Sequence, residues 1–216
     1  MAKAIKRERP DLEVYGVDTS RNAIASANAN AEGVEFRVGT AERLPFEAGY
    51  FSAVTMFDVL EHLEDPGRVL GEIARVLAPG GLFHIAVPLE NQPGTIYHLI
   101  GAGTRWKAKV RCLGHIQTFS EADYRELAAK NALPVTQVRW SYHHLFSLID
   151  VLYFSFLQPR GGVSTSVEDY VSAQRGWAAG PMRAAWKVVS ATGWCEARAF
   201  RWMRGACGHF TSRKQG

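Results

Sequence analysis

Between Phe51 and Pro88 the chain alternates unbroken apolar runs with one apolar stripe. Phe51–Phe57 is short, apolar and rich in strand formers, which predicts a strand buried on both faces. Asp65-Pro66 offers an N-cap followed by proline at the first helical position. Val69, Leu70, Ile73, Val76 and Leu77 then recur at helical spacing. Pro79-Gly80-Gly81 is expected to stop that helix, and Leu82–Val87 to form a second apolar strand. Strand, helix and strand at this length predict a right-handed crossover in a parallel sheet. Ligands bind beyond the carboxyl ends of such strands, so Met56–Glu64 is expected to carry a site.

The same periodicities run along the rest of the chain. Met1–Arg9 reads as the tail of a helix and Glu13–Asp18 as a short strand. Ser20 can cap a helix from Arg21 to about Asn30, ended by Gly33. Val34–Val38 is the next strand. Thr95–Ile100 predicts a short helix. Ser120, with Asp123 in the capping-box position, opens a helix over Ala122–Asn131. Pro134–Tyr142 alternates as a strand does. Leu145–Leu157 is an apolar, aromatic helix, followed by a breaker-rich linker over Gln158–Ser166. Pro181 opens a helical region to about Met203, interrupted near Gly193. Cys207–Lys214 reads as a closing strand. Helix and strand alternating in this way predict an α/β, doubly wound fold.

The segment DVLEHLEDPGRVLGEIARVLAPGG carries a resemblance. It combines an acid, two apolar residues, Glu-His and a helix ending Leu-x-Pro-Gly-Gly. In that combination it is similar to the fourth-strand region of class I S-adenosylmethionine-dependent methyltransferases. The branch it resembles contains the ubiquinone/menaquinone and other small-molecule methyltransferases. Further matches run from Val14 to about Pro134. The resemblance implies a Rossmann-like, mostly parallel sheet with a final antiparallel strand. It also implies S-adenosylmethionine as cofactor and a small, apolar acceptor. The family's first strand and its glycine-rich loop, whose bare backbone approaches the methionine end of the cofactor, have no counterpart here, since no GxGxG occurs. The first strand is therefore expected to be missing, and S-adenosylmethionine to bind weakly.

The resemblance places the cofactor at three strand ends. Asp18, with Thr19, stands where the family has an acid that binds the ribose diol. A carboxylate can accept two hydrogen bonds from a diol, but an Asp here can equally cap the helix that begins near Ser20. Gly39-Thr40-Ala41-Glu42-Arg43-Leu44-Pro45-Phe46 resembles the family's G-D-A-x-x-L-P-F. Thr40, Ala41 and Glu42 are then assigned to the adenine, with Leu44, Pro45 and Phe46 folded over it or packed in the core. Phe57 and Asp58 complete the cofactor set.

Asp58, Glu61 and His62 admit three readings. On a helical turn they share one face, and two carboxylates with an imidazole suit a divalent cation. The pattern resembles the metal-binding loop of ubiquinone-pathway O-methyltransferases. His62 can instead serve as a general base without metal, or Glu61 and His62 can simply brace the loop. Gly114-His115-Ile116-Gln117-Thr118-Phe119-Ser120 resembles the family's G-H-x-x-x-F-[ST] segment. His115 is thereby a second catalytic candidate facing the substrate, with a structural hydrogen bond as the other reading.

Composition narrows the class. At 216 residues, with 47% hydrophobic and 21% charged residues, one globular α/β domain is expected. Three scattered cysteines, Cys112, Cys195 and Cys207, argue against a disulfide framework and fit a reducing cytoplasm. The net charge of +4 is mild, and its excess lies after Arg160. No nucleic-acid motif stands out. Arg105–Arg111 is a basic stretch suited to a lid, an anionic surface or a solvated loop. Residues 1–142 are expected to form the core, 143–205 a helical insertion and 206–216 the last core strand. Tryptophans among basic residues in 145–203 suit a peripheral membrane contact or a cap over a greasy substrate. Two functions compete: methyl transfer to a small acceptor, and a non-catalytic remnant that kept the scaffold.

Overall fold

The computed structural model describes residues 1–101, 113–157, 171, 175, 179–200 and 202–216. The Arg105–Arg111 stretch, Cys112 and the Gln158–Ser166 linker lie outside the described residues. The chain opens with α1 (Ala2–Glu8), β1 (Val14–Asp18), α2 (Arg21–Asn28) and β2 (Val34–Val38). Then come β3 (Phe51–Phe57), a 3₁₀ turn (Leu60–His62), α3 (Pro66–Val76) and β4 (Leu77–Pro88). After α4 (Ile96–Ile100) follow α5 (Glu121–Lys130), β5 (Val135–Ser141), α6 (Leu145–Leu152) and a π turn (Tyr153–Leu157). The chain closes with α7 (Ala179–Ala199) and β6 (Cys207–Arg213).

The local signals explain most of these boundaries. The Asp65 side chain accepts from Arg68 N and Pro66 occupies the first turn of α3. Ser20 caps α2 through Ala23 N. Ser120 and Asp123 form a reciprocal capping box on α5. Each satisfies amides that a helix start leaves without partners.

The strands form two sheets among the described residues. One pairs β1 with β2 in parallel. The other has the order β3-β4-β6-β5, with β3 and β4 parallel and β6 antiparallel to both its neighbours. The last strand is thus antiparallel, as the resemblance implied. Among the described residues β1 and β3 are both edge strands, each paired on one side. The two sheets meet through an aromatic cluster of Tyr15, Phe46, Tyr50 and Phe51. The Tyr15 and Phe51 rings are 5.6 Å apart and the hydroxyls of Tyr15 and Tyr50 are 2.8 Å apart.

The core lies under the larger sheet. Val69, Leu70 and Ile73 of α3 pack with Phe83, Ile85 and Val87 of β4. Tyr124 of α5 stacks on Phe210 of β6 at 4.3 Å between centroids. The Glu72–Arg75 pair ties the 40–50 loop to α3. Glu72 accepts from Leu44 N at 2.7 Å, and Arg75 donates to Phe46 O at 2.8 Å.

Three expectations change. β3 is not buried on both faces: Ser52, Ala53 and Thr55 are exposed, because its outer edge has no covering strand. β4 starts at Leu77, which pairs with Phe51, and Pro79-Gly80-Gly81 is an irregularity within that pairing instead of a separating turn. Gly193 does not interrupt α7. It is buried against α6, and a Cβ there would overlap the Phe146 ring. The glycine serves close approach of two helices. Glu196, one turn further along α7, accepts from the amides of His144 and Leu145 at 3.1 and 3.2 Å, closing the start of α6.

Helix propensity alone would make Gly193→Ala stabilising by about 1 kcal/mol. The packing predicts the opposite sign. Thermal or urea unfolding should show Gly193→Ala destabilised by about 1–3 kcal/mol, with partial recovery when Phe146→Leu is added.

Candidate functional site

β3 ends at Phe57, and Asp58 turns the chain with φ of +50°, a conformation uncommon for a residue with a Cβ. Its amide still bonds Ala86 O at 3.2 Å, so the turn begins at the sheet. The 3₁₀ turn that follows places Leu60 in the core and the Glu61 side chain in the interior. The Glu61 carbonyl accepts from the amides of both Ile116 and Gln117, at 2.9 and 3.0 Å. The Gln117 side chain donates to Leu63 O and Glu64 O. Residues 114–117 are thereby laid against 61–64.

This brings His115 beside Glu61 and His62. His62 Nδ1 donates to Gly114 O at 3.2 Å, and His115 Nδ1 donates to Glu90 Oε1 at 2.7 Å. Both partners are acceptors, so each ring carries its proton on Nδ1 and leaves a lone pair on Nε2. Those two Nε2 atoms lie 3.9 and 4.0 Å from Glu61 Oε1, and the rings meet edge to face at 4.9 Å. Glu61 is 1% exposed and neither carboxylate oxygen has a hydrogen-bond partner among the described residues. Burial pushes its carboxyl up to about 7. Its own backbone and His115 act against that rise, while Asp58 and Glu90 add to it.

The ligand atoms of Glu61, His62 and His115 lie within 4.8 Å of one another, the spacing a cation site needs. The set differs from the one the sequence suggested. Asp58 is exposed and outside it, because its left-handed turn takes it off the face that Glu61 and His62 share. His115 occupies that role, and Glu90 orients it. No sequence signal pointed to Glu90: it stands in a loop, 25 residues from its partner.

A cavity of about 470 Å³ opens at the carboxyl ends of β3 and β4, where Phe57 and Pro88 line it with Asp58, Glu61, His62 and His115. The facing wall comes from Tyr142 just after β5, Phe146 of α6, Phe154 of the π turn and Trp186 of α7. Asp150 of α6 also lines it and accepts from the Tyr97 hydroxyl at 2.6 Å. A smaller hollow of about 380 Å³ beside Phe46 and Tyr50 has no such cluster of titratable side chains.

The remaining cofactor candidates lie elsewhere. Asp18 ends β1 and is exposed, with Oδ1 accepting from Ser20 N at 2.7 Å. Thr19 and Thr40 are exposed, Glu42 is half-buried, and Ala41 packs against the core. The lining of the cavity does not include these five residues. Phe46, expected near the adenine or in the core, packs with Tyr15 and Phe51 at 5.4 and 4.7 Å.

Comparison with known proteins bears on the fold that carries this geometry. Residues 1–85 match the family described as a methyltransferase domain. The ubiquinone/menaquinone biosynthesis C-methyltransferase of Desulfotalea psychrophila is 37% identical over 83 residues, which are 38% of this chain and 34% of that protein. The demethylmenaquinone methyltransferase of Thermus thermophilus is 41% identical over 106 residues, 46% of this chain and 48% of its own. This chain thus spans about a third to a half of these relatives. Among solved structures, the [4+2]-cyclase SpnF superposes with a TM-score of 0.60 at 19% identity, covering 98% of this chain and 71% of that one. The likeness to that cyclase shows the fold and leaves the chemistry to the site. Residues 1–85 thus match a methyltransferase domain, and the chain as a whole shares the fold of that cyclase.

Proposed function

We propose that the chain is the core of an enzyme that transfers a methyl group from S-adenosylmethionine to a small acceptor bound in the 470 Å³ cavity. The observation that carries this is the convergence of the His62 and His115 Nε2 lone pairs on buried Glu61 at the strand ends. The donor, when bound, supplies an electrophilic methyl group. The chain's own residues then need to hold the acceptor, exclude water and accept its proton. His62, with its side chain 38% exposed, is the base we assign. His115 is buried and locked by Glu90, so it positions the cluster.

Cofactor binding by Asp18, Thr19, Thr40, Ala41, Glu42, Phe57 and Asp58 belongs to the same proposal. What supports it is that β1 and β3 end in Asp18 and in Phe57-Asp58, and that Thr40 follows β2 closely. Asp18 Oδ2 makes no hydrogen bond to another described residue, so it is available to a ribose hydroxyl. We further propose that the two sheets are halves of one, completed by a strand that pairs with the free edges of β1 and β3. That strand and the glycine-rich turn after it would supply the methionine end with its backbone donors. Membrane contact through 145–203 would use Val188, Trp194 and Trp202, which are 65–74% exposed; liposome co-sedimentation tests it. No helix among the described residues is long and apolar enough to span a membrane.

A second reading rests on the spacing of Glu61, His62 and His115, which suits a divalent cation with nitrogen and oxygen donors. Methyl transfer that survives a chelator unchanged would leave the base alone.

Three outcomes are expected. If the proposed strand and turn are what hold the charged end of the donor, calorimetry on the 216-residue chain should show S-adenosylmethionine affinity weaker than about 100 μM. Micromolar affinity would sink the idea of an incomplete cradle. With labelled donor at saturating concentration, His62→Ala should lower the turnover of a methylated acceptor by about 10²-fold, and unchanged turnover would remove His62 as base. The third concerns stability. Folded Glu61 keeps its proton up to about pH 7, whereas the unfolded chain loses it near a glutamate's ordinary 4.5. The folded state therefore binds the extra proton between these values, and stability falls as pH rises through that window. Denaturant titrations should show Glu61→Gln gaining on the parent by about 2–3 kcal/mol between pH 4.5 and pH 8.

A further inference from the structure

One polar pair in the cavity takes no part in the cluster around Glu61. The described lining holds three histidines, His62, His115 and His209, and also Ser141. Ser141 ends β5 and His209 lies on β6. Ser141 pairs with Cys207, two residues from His209, so the three side chains share one face of the sheet. His209 pairs with Ala86 and Ala86 with Phe57, which sets the His209 ring in the same row across the sheet as Phe57. His209 Nε2 and Ser141 Oγ are 2.7 Å apart, and Cys207 Sγ is 4.0 Å from the same nitrogen. The half-buried ring makes no hydrogen bond to a described residue through Nδ1.

Hydrogen bonding fixes the tautomer of this ring. The Ser141 hydroxyl has His209 Nε2 as its acceptor and no other among the described residues. The hydroxyl therefore donates, and Nε2 carries the lone pair. Burial, and then His84, hold the ring below a histidine's ordinary 6.5, with Asp58 acting the other way, so the ring is neutral at pH 7.5. Its one proton is then on Nδ1. His62 and His115 are arranged in the opposite sense, with Nδ1–H engaged and the Nε2 lone pair turned to Glu61. The lining thus carries lone pairs at the turn after β3 and an unengaged N–H donor on β6.

We propose that the acceptor carries a neutral carbonyl oxygen, and that His209, held by Ser141, donates to it through Nδ1. The proposal rests on reading this cavity as the acceptor site. A cavity walled by rings takes its specificity from the few polar groups placed in it, and a donor left without an acceptor is costly once a ligand excludes water. A hydrocarbon ligand would leave the N–H in that state. A carboxylate would accept from it, but would add a negative charge near Asp58, whose own charge acts on the same ring. The carbonyl oxygen answers the donor without adding charge. His209 is on this view a positioning residue that selects the acceptor, and the proton of the reaction goes to His62.

The experiment compares three ligands of one shape: acetophenone, α-methylstyrene, in which a methylene replaces the carbonyl oxygen, and benzoate. Equilibrium binding to the whole chain is measured at pH 7.5 by ligand-observed NMR, without S-adenosylmethionine. The hydrocarbon is driven from water more strongly than the ketone, so the deciding quantity is the ratio of their affinities, compared between variants. His209→Leu should lower the ratio of acetophenone to α-methylstyrene affinity about fivefold. His209→Gln keeps an N–H donor and should hold the ratio nearer to that of the parent. Circular dichroism checks that both variants fold. In the parent, benzoate should bind more weakly than acetophenone. Nitrogen chemical shifts of the histidine rings, measured on the parent chain, should show His209 protonated on Nδ1, and this measurement decides even where a variant does not fold. An unchanged ratio in His209→Leu, tighter binding of benzoate than of acetophenone, no binding of acetophenone, or a His209 ring protonated on Nε2 overturns the proposal. Since no methyl donor is present, weak cofactor binding or absent turnover would count against the methyl-transfer reading and leave this result standing.

Discussion

The site depends on one doubly used carbonyl. Glu61 O receives the amides of Ile116 and Gln117, and this pair of bonds fixes the segment 114–117 against the turn after β3. Every later feature follows from it. Gly114 then presents its carbonyl to His62, and His115 points its ring between Glu61 and Glu90. Two imidazoles from segments more than fifty residues apart are given the same tautomer by two different acceptors. Backbone bonds of this kind are short-range and directional, so they hold side chains more firmly than surface ion pairs do.

The cost of the arrangement falls on Glu61. A carboxylate without hydrogen bonds in the interior is strongly disfavoured when charged, which is why burial raises its pKa so far. The protein tolerates this because the surrounding shell is well packed: Leu60, Phe83 and Ile85 are fully buried around the same strand ends. Such unpaired groups are uncommon in folded proteins and mark places where a ligand or a proton completes the structure. The cavity above it has one wall from the sheet and one from α6, the π turn and α7. Gly193 and Glu196 lock α7 to α6, so the aromatic wall and Asp150 are set by helix packing and not by the sheet.

The split of the sheet has a physical reading as well. β4 is paired on both sides, by β3 and β6, and its apolar residues from Phe83 through Val87 are buried apart from His84. Among the described residues β3 and β1 are paired on one side only, and both are more exposed. Aromatic packing of Tyr15, Phe46, Tyr50 and Phe51 holds the halves together where no backbone ladder does. Nearly all the large buried side chains therefore lie in the four-stranded half.

What the sequence determined by itself was local or periodic. The caps at Ser20, Asp65 and Ser120, the helical stripe of α3, the apolar strands and the closing antiparallel strand all rest on neighbours within a few residues, so pattern alone finds them. The strand-end rule located the cavity, and the Glu-His pair with the later His named its three central groups. Tertiary structure decided the rest. It replaced Asp58 by His115 in the cluster, brought in Glu90 and Asp150, and turned Gly193 from a break into a contact. It also left one face of β3 open. These depend on which distant segments meet, and on the φ of one residue, Asp58. A residue's spacing along the chain carries no record of a hydrogen bond made twenty-five or fifty residues away.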